Sequence, residues 1–314
     1  MDTRSRREFM KESALAGGAL ALLYSGCSQQ AQDPVNEVQM SIAKWQGKPE
    51  AEEDIRAAAS TLTEQAVRNL GGLGRFVKKG ATVWVKPNIN FHRTPEFAAN
   101  TNPAVVAAVV RLCYEAGAGK VRVGDHSGFG ADVSYPMSGI AEAAQGAGAE
   151  VVYLDESKFK PYPLNGKVLK EWPLCPDIVE ADLVVSVPVA KNHAIPTVSG
   201  CMKNFMGVAG GDRSTWHEHI ADCVCDITAF MKPKVCIVDA VRVITAGPPR
   251  GGDLNDVKFM GAVAAGVDPV ALDAWAAELL GHNAADVGSI AEGQTRGLGQ
   301  MAYRKLNLRE ATVS

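Results

Sequence analysis

Short apolar runs rich in β-branched residues alternate along this chain with stretches of helical periodicity, and this alternation fixes the fold class. The runs are 81–85, 120–124, 150–154, 182–187, 234–238 and 260–265. The helical stretches are 54–77, 103–116, 138–145, 219–231 and 269–280. Strands that are apolar on both faces need helices on both sides, as in a parallel sheet. The pattern predicts an α/β fold with a mostly parallel sheet and helices on both faces, in one body or two lobes.

Polar residues follow four of these runs, where a buried strand would end. They occupy 86–90, 125–128, 188–193 and position 239. Ligands of open α/β sheets bind beyond the carboxyl ends of the strands. We therefore expect Lys86, Asn88 and Asp125 at one crevice, with Lys86 and Asn88 holding anionic groups.

The segment 190–220 concentrates polar chemistry, since it is rich in glycine and contains three of the six histidines. Lys203 and Asn204 follow Ser199-Gly200-Cys201, and a lysine beside backbone amides can cradle an anion. His217 and His219 would diverge on a helix. One of them is expected to be a metal ligand or acid/base group, and the other to begin the helix.

Several function classes are disfavoured by composition and motifs. The net charge is only −3 and no basic cluster occurs, which argues against nucleic acid as a partner. No C-x-x-C spacing is present, so an iron–sulfur cluster is not expected from this chain alone. Neither a P-loop nor a dinucleotide fingerprint occurs, which disfavours ATP and NAD in their usual binding modes.

The amino-terminal segment is similar to a twin-arginine export signal. Arg6-Arg7 precede Phe9 and Lys11, and an apolar run covers 14–24. That run of about 11 residues is short against the about 20 needed to span a membrane. We expect residues 1–27 to be the signal, 28–36 a linker and 37–314 the α/β domain. An ordinary signal peptide with a chance arginine pair is the alternative.

This signal implies a location and partners. The chain would be exported by the twin-arginine machinery to the periplasm, where Cys27 resembles the acylated cysteine of a lipoprotein. A lipid at Cys27 would then be the sole membrane attachment, and the alternative is simple cleavage of the signal, which would release the protein into the periplasm. Because this route carries folded proteins, it suggests a cofactor loaded before export.

Motifs spread over 83–281 resemble the domain-of-unknown-function family 362. They are Lys86-Pro87-Asn88, Asn100-Thr101-Asn102-Pro103, Lys203-Asn204-Phe205-Met206-Gly207, Asp239 and Asp268-Pro269-Val270-Ala271-Leu272-Asp273. Many members of that family carry a ferredoxin-like cluster segment, which this chain lacks.

A remoter resemblance is to the nickel-pincer lactate racemases, through the order His126, His193, Lys203, His219. The resemblance implies that Lys203 anchors an organometallic, nickel-type cofactor and that His219, with His217 beside it, ligates the metal. It also implies that His126 and His193 exchange protons. Cys201 departs from the small residue of that family's glycine-rich loop.

Together these features predict a cofactor- or metal-dependent enzyme acting on a small polar or anionic molecule. The reaction would be proton transfer or redox chemistry, as in an isomerase or racemase, or an oxidoreductase. In this interpretation Lys86, Asn88, Asp125, Lys203 and Asn204 bind the cofactor or its anionic groups. The alternatives are a non-catalytic periplasmic binding protein, or an accessory or electron-transfer partner of another enzyme.

Overall fold

An eight-stranded mixed sheet organises the structure, a computed structural model that describes residues 37–194, 197–247 and 251–314. The predicted export signal and linker lie outside the described residues. The strands are β1 (Met40–Trp45), β2 (Thr82–Pro87), β3 (Lys120–Val123), β4 (Glu150–Val151), β5 (Lys160–Pro163), β6 (Glu171–Leu174), β7 (Leu183–Val187), β8 (Lys191–His193), β9 (Thr197–Ser199), β10 (Val235–Ile244), β11 (Val257–Gly266) and β12 (Leu308–Val313).

The described helices connect and cover these strands. They are α1 (Glu52–Asn69), α2 (Pro103–Glu115), α3 (Ala131–Met137), α4 (Ile140–Gly146), α5 (Pro176–Val179), α6 (Cys201–Asn204), α7 (Ile220–Met231), α8 (Pro269–Leu279) and α9 (Gly288–Thr295). Short 3-10 helices at Phe205–Val208 and Arg213–His219 lie between α6 and α7. None of the helices in the described part is long and apolar enough to cross a membrane.

The sheet has the strand order β12-β1-β11-β10-β7-β2-β3-β4. The five strands from β10 to β4 run parallel, whereas β11 is antiparallel to both β10 and β1. In the centre, Val83 of β2 lies opposite Val121 of β3 on one side and Leu183 of β7 on the other. The prediction of an α/β fold with a mostly parallel sheet is confirmed.

Helices cover both faces of the sheet, as side-chain alternation along β2 demonstrates. Val83 packs in one buried cluster with Leu62 of α1 and Val105 of α2. Its neighbour Trp84 packs in another cluster with Ile227 of α7. Successive strand residues point to opposite faces, so β2 is covered on each side. Both faces of the central sheet are therefore core.

Parts of the architecture differ from the sequence predictions. The predicted helix 54–77 ends at Asn69, because Gly71 and Gly72 follow with positive φ angles of 100° and 80°. Strands β1 and β12 and the hairpins β5/β6 and β8/β9 were not expected. These strands have three to six residues of mixed polarity, too short and irregular to produce a clear period. In β8/β9, Lys191 lies opposite Ser199 and His193 opposite Thr197.

Candidate functional site

Lys86 and Asp125 form a buried ion pair between neighbouring parallel strands. Lys86 lies near the end of β2 and Asp125 just beyond β3, and Lys86 Nζ is 2.6 Å from Asp125 Oδ1. The second carboxylate oxygen accepts a 2.8 Å hydrogen bond from the Ile89 backbone N–H. Burial lowers the pKa of Lys86, and the carboxylate of Asp125 opposes that shift. Each charge therefore neutralises the other.

Asn204 joins this pair to the sheet. Its Oδ1 accepts from Lys86 Nζ at 3.3 Å, while its Nδ2 donates to the Lys86 carbonyl at 2.9 Å and to Ser186 Oγ at 3.0 Å. Three predicted site residues, Lys86, Asp125 and Asn204, are thus brought together. Because these three side chains are hydrogen-bonded to one another, we interpret them as a structural support for the adjacent cavity.

A cavity of about 40 Å³ lies beyond the carboxyl ends of β2 and β7. Its lining residues are Asn88, Asn90, Phe91, Pro188, Val189, Lys191, His193, Ser199, Gly200, Lys203 and Asn204. That volume suits a small anion or a few waters. The described lining contains two lysines and no acidic side chain, so its charge favours an anion.

Lys191 is the more firmly held of the two cavity lysines. Its Nζ donates to Asn88 Oδ1 at 2.8 Å and to the Ala99 carbonyl, and it lies 4.7 Å from the centre of the Phe91 ring. Burial lowers the pKa of Lys191 well below its usual value, and the charge of Lys203 adds to that effect. An anion in the cavity would reverse this shift.

Lys203 is presented by the short helix α6. Asp273 fixes the start of α6, accepting hydrogen bonds from the backbone N–H groups of Cys201 and Met202. Burial lowers the pKa of Lys203 to about 8, with further contributions from the positive charges of Arg213 and Lys86. Within the described ranges, no carboxylate lies within ion-pair distance of its amine. Lys203 therefore combines a lowered pKa with an accessible cavity.

Ser199 and His193 complete the polar lining. Ser199 is only 8% exposed, and its hydroxyl is one of the few buried side-chain groups in the described residues that have no hydrogen-bond partner. Most buried hydroxyls are satisfied, so a ligand atom would provide the missing partner. Burial and the nearby charges of Lys203 and Lys191 lower the pKa of His193 to about 3. Its imidazole is neutral near pH 7.

The other predicted histidines do not line the cavity. His126 Nδ1 lies 2.8 Å from the Ala209 carbonyl, and its Nε2 lies 3.5 Å from Glu156 Oε2. His217 Nδ1 contacts the Ser214 carbonyl at 2.8 Å. His219 is exposed and immediately precedes α7. Of the histidines proposed for proton exchange or metal binding, only His193 faces this cavity.

The described residues offer few side chains that could ligate the predicted metal ion. Over the ranges that the structure describes, no three His, Cys, Asp or Glu side chains are grouped so that they could hold a metal ion. Of the described lining residues, His193 alone has such a side chain. No metal site is therefore seen among these residues, and a nickel-type cofactor stays a prediction of the sequence resemblance.

Several motif residues build the scaffold around the cavity. Asn100 Oδ1 accepts from the backbone N–H groups of Asn90 and Phe91, both at 2.9 Å. Asp239 accepts from the backbone N–H of Asn102 at 2.7 Å, and burial raises the pKa of Asp239 to about 6. Asn100 thus holds the loop after β2 against the segment before α2, and Asp239 holds the start of α2 against β10. These contacts account for motif positions that do not line the cavity.

Sequence reasoning did not select Lys191, Ser199 or Arg213 as site residues. Lys191 lies in the polar segment after β7, so its position in the chain gave a usable signal. Ser199 is recognisable only once β9 is seen to pair with β8. Arg213 Nη1 donates to the His126 and Met206 carbonyls at 3.2 and 3.0 Å, contacts that no spacing rule predicts.

Comparison with known proteins identifies the family. Residues 83–278 match the model of "Domain of unknown function (DUF362)", which covers more than half of the chain. The chain belongs to the DUF362 family. A thylakoid-associated protein of Synechocystis sp. is 30% identical over 262 residues, which cover 79% of this chain and 77% of that protein. The family resemblance seen in the sequence is confirmed, and the Lys86, Lys203 and Asp273 motif residues of this DUF362 protein are those described above.

Two solved structures are more distantly similar to this DUF362 protein. The lactate racemase apoprotein from Thermoanaerobacterium thermosaccharolyticum has 13% identity and a TM-score of 0.45, covering 76% of this chain and 56% of that chain. A protein from Thermotoga maritima has 14% identity and a TM-score of 0.32, covering 61% and 51%. The chain spans about half the length of these two solved chains.

Proposed function

We propose that this protein binds a small anionic molecule in the cavity between Lys191 and Lys203 and catalyses proton transfer on it. The observation that carries the proposal is the pair of cavity lysines, Lys191 buried and Lys203 partly buried, without an acidic group in the described lining. Burying an uncompensated charge is costly, so a bound anion would stabilise both ammonium groups. The unpartnered hydroxyl of Ser199 supports the same proposal, since it would donate to the anion.

Lys203 is the proposed proton-transfer group. A general base or acid works best when its pKa lies near the operating pH, and the pKa of Lys203 is lowered to about 8. Lys191 would hold the anion, because Asn88 and the Ala99 carbonyl already fix its amine. His193 would act as a neutral hydrogen-bonding group that orients the molecule.

A non-catalytic binding protein is the second candidate. It is favoured by the pKa of His193, which at about 3 is too low for an effective base at neutral pH. Both candidates require anion binding, and they differ in whether protons on the bound molecule exchange with solvent.

Calorimetric titration with acetate and with inorganic phosphate tests the binding step. We expect both wild-type protein and Lys44→Met to bind at least one of these anions, since Lys44 lies on the surface and pairs with Glu310. Lys203→Met should weaken that binding by about tenfold or more, equivalent to about 1.4 kcal/mol. Wild-type protein that binds neither anion, or Lys203→Met that binds as tightly as wild type, would contradict the proposal.

Deuterium exchange distinguishes the enzyme from the binding protein. Pyruvate is incubated with the protein in D₂O, and exchange of its methyl protons is followed by NMR. The enzyme hypothesis predicts exchange above the uncatalysed rate with wild type and Lys44→Met, and its loss in Lys203→Met. Binding of the anions without faster exchange would favour the non-catalytic alternative.

Export is a separate proposal that rests on the sequence alone. We propose that the twin-arginine machinery carries the chain to the periplasm and that Cys27 attaches it to the membrane through lipid. Fractionation of cells that express the full chain tests both steps. Replacement of Arg6-Arg7 by two lysines should retain the protein in the cytoplasm, and Cys27→Ala should release it from the membrane fraction.

A further inference from the structure

We infer that Lys203 forms an imine with the carbonyl carbon of a small 2-oxo carboxylate whose carboxylate is bound by Lys191 and Ser199. This inference rests on the proposed anion site and specifies its substrate class. It assigns different tasks to the two cavity lysines, one electrostatic and one covalent.

The two lysines differ in how the surrounding protein holds them. Lys191 Nζ has Asn88 Oδ1 and the Ala99 carbonyl as acceptors and lies over the Phe91 ring. These contacts fix the position of the amine, and a bound carboxylate would favour its ammonium form against the effect of burial. The amine of Lys203 also faces the cavity, but no described acceptor engages it in the same way. It is therefore the amine that can approach a bound molecule.

The environment of Lys203 favours the neutral, nucleophilic amine. Burial has the largest effect, and the positive charges of Arg213 and Lys86 act in the same direction. Arg213 is held by two backbone carbonyls, and Lys86 by its ion pair with Asp125, so neither depends on the ligand for its place. Desolvation and neighbouring cations are the two established ways to activate a lysine for imine formation.

The rest of the lining matches the carboxylate end of the substrate. Lys191 and Ser199 lie opposite each other on β8 and β9, and both line the cavity. An ammonium group and a hydroxyl provide two donors for one carboxylate. The cavity volume of about 40 Å³ makes small 2-oxo acids such as glyoxylate and pyruvate suitable probes.

The covalent step is balanced without a further reactant. The neutral amine of Lys203 attacks the carbonyl carbon, forming a C–N bond, and a proton moves from nitrogen to the carbonyl oxygen. The C–O bond then breaks with loss of water and leaves a C=N bond. Protonation of that nitrogen would acidify the neighbouring C–H group and so connects the imine to the proposed proton transfer.

Borohydride trapping with glyoxylate and with pyruvate tests this step. The full chain is incubated with each acid, reduced with sodium borohydride, and examined by intact-protein and peptide mass spectrometry. We expect one reduced adduct per chain, located on Lys203. Surface lysines provide an internal control within each sample, and Lys44→Met should give the same adduct as wild type.

Variants separate the two lysine roles. Lys203→Met should abolish the adduct, whereas Lys191→Met and Ser199→Ala should reduce its yield while leaving the label on Lys203. Because the wild-type adduct is located by peptide mapping, the assignment does not depend on whether a variant folds. A label distributed over surface lysines, or equal labelling of Lys203→Met, would overturn the inference.

The proposed function and this inference fail in different ways. Wild-type protein that binds acetate or phosphate but gives no adduct with either acid would refute imine formation and leave the anion site intact. Methyl-proton exchange in pyruvate without an adduct would likewise refute the imine and support proton transfer by the amine alone. Protein that shows neither binding nor adduct would refute both.

Discussion

The backbone of Gly207 passes so close to Asp125 that a Cβ at position 207 would lie 1.8 Å from Asp125 Oδ1. The same Cβ would lie 2.7 Å from Lys86 Nζ. Gly207 is the last residue of the Lys203-Asn204-Phe205-Met206-Gly207 motif. Its carbonyl also accepts a hydrogen bond from the His126 backbone N–H at 3.0 Å. The glycine is thus required for the close packing of the loop on the buried ion pair.

Gly207→Ala is therefore expected to destabilise the fold. The added methyl group must displace Asp125 or the loop, and overpacking of this kind costs about 1–3 kcal/mol or more. Gly74→Ala is the matched control, since a Cβ there meets nothing within 4 Å. Urea unfolding should show a lower free energy of unfolding for Gly207→Ala only. Equal stability of the two variants would contradict the packing described here.

Removal of one member of the buried pair should cost more than removal of a surface charge. Asp125→Ala leaves the Lys86 ammonium buried without its partner, and such changes cost about 3–5 kcal/mol. Adding Lys86→Met should recover part of that loss, because it removes the stranded charge. Glu310→Ala breaks the half-exposed pair with Lys44 and should change the unfolding free energy by about 1 kcal/mol or less. Chemical denaturation of the four proteins measures these differences.

Ser199→Ala should separate binding from stability. Among the described residues its hydroxyl is buried without a partner, so replacement should leave the unfolding free energy unchanged or raise it by about 1 kcal/mol. Binding of acetate should weaken by about tenfold, because a hydrogen bond to a charged group is lost. The control is Ser41→Ala, whose buried hydroxyl donates to the Ala66 carbonyl at 2.5 Å and which should be destabilised by about 1 kcal/mol. If Ser199→Ala lost stability as Ser41→Ala does, the hydroxyl would have a structural partner.

Anion affinity should depend on pH through Lys203. In the free protein the pKa of Lys203 is about 8, and a bound anion raises it by favouring the ammonium form. Binding then takes up a proton above about pH 8, so the advantage of wild type over Lys203→Met should be constant below that pH and fall above it, by up to about tenfold per pH unit. Acetate is the suitable probe because its charge stays constant from about pH 6 to about pH 10. An advantage that rises with pH would contradict the assignment.

The fold was more predictable from the sequence than the site. The runs at 81–85, 120–124 and 182–187 became central parallel strands because their apolar pattern records burial on both faces. The strand-end rule placed Lys86 and Asp125 at the same edge of the sheet, where they form an ion pair. It could not show that they neutralise each other, since side-chain pairing depends on where Asn204 and Gly207 return from later in the chain.

The histidines illustrate the opposite limit. Residue type and order grouped His126, His193 and His219, but it is the hairpin β8/β9 that brings His193 alone of these three to the cavity. His126 lies against the Ala209 carbonyl, and His219 is exposed at the start of α7. Their proposed roles in proton exchange and metal binding stay predictions. Lys191 is proposed as an anion-binding residue instead, because hairpin β8/β9 positions it beside the cavity.

One rung of that hairpin contributes both groups proposed to hold the carboxylate. Lys191 and Ser199 are directly paired across β8 and β9, so their separation is set by backbone hydrogen bonding. A shift of one residue in this pairing would turn the side chains of the shifted strand to the opposite face of the hairpin, because successive strand residues alternate in direction. A one-residue insertion in β8 or in β9 should therefore turn either Lys191 or Ser199 away from the cavity and so separate the two groups, while the eight-stranded sheet keeps its strand order.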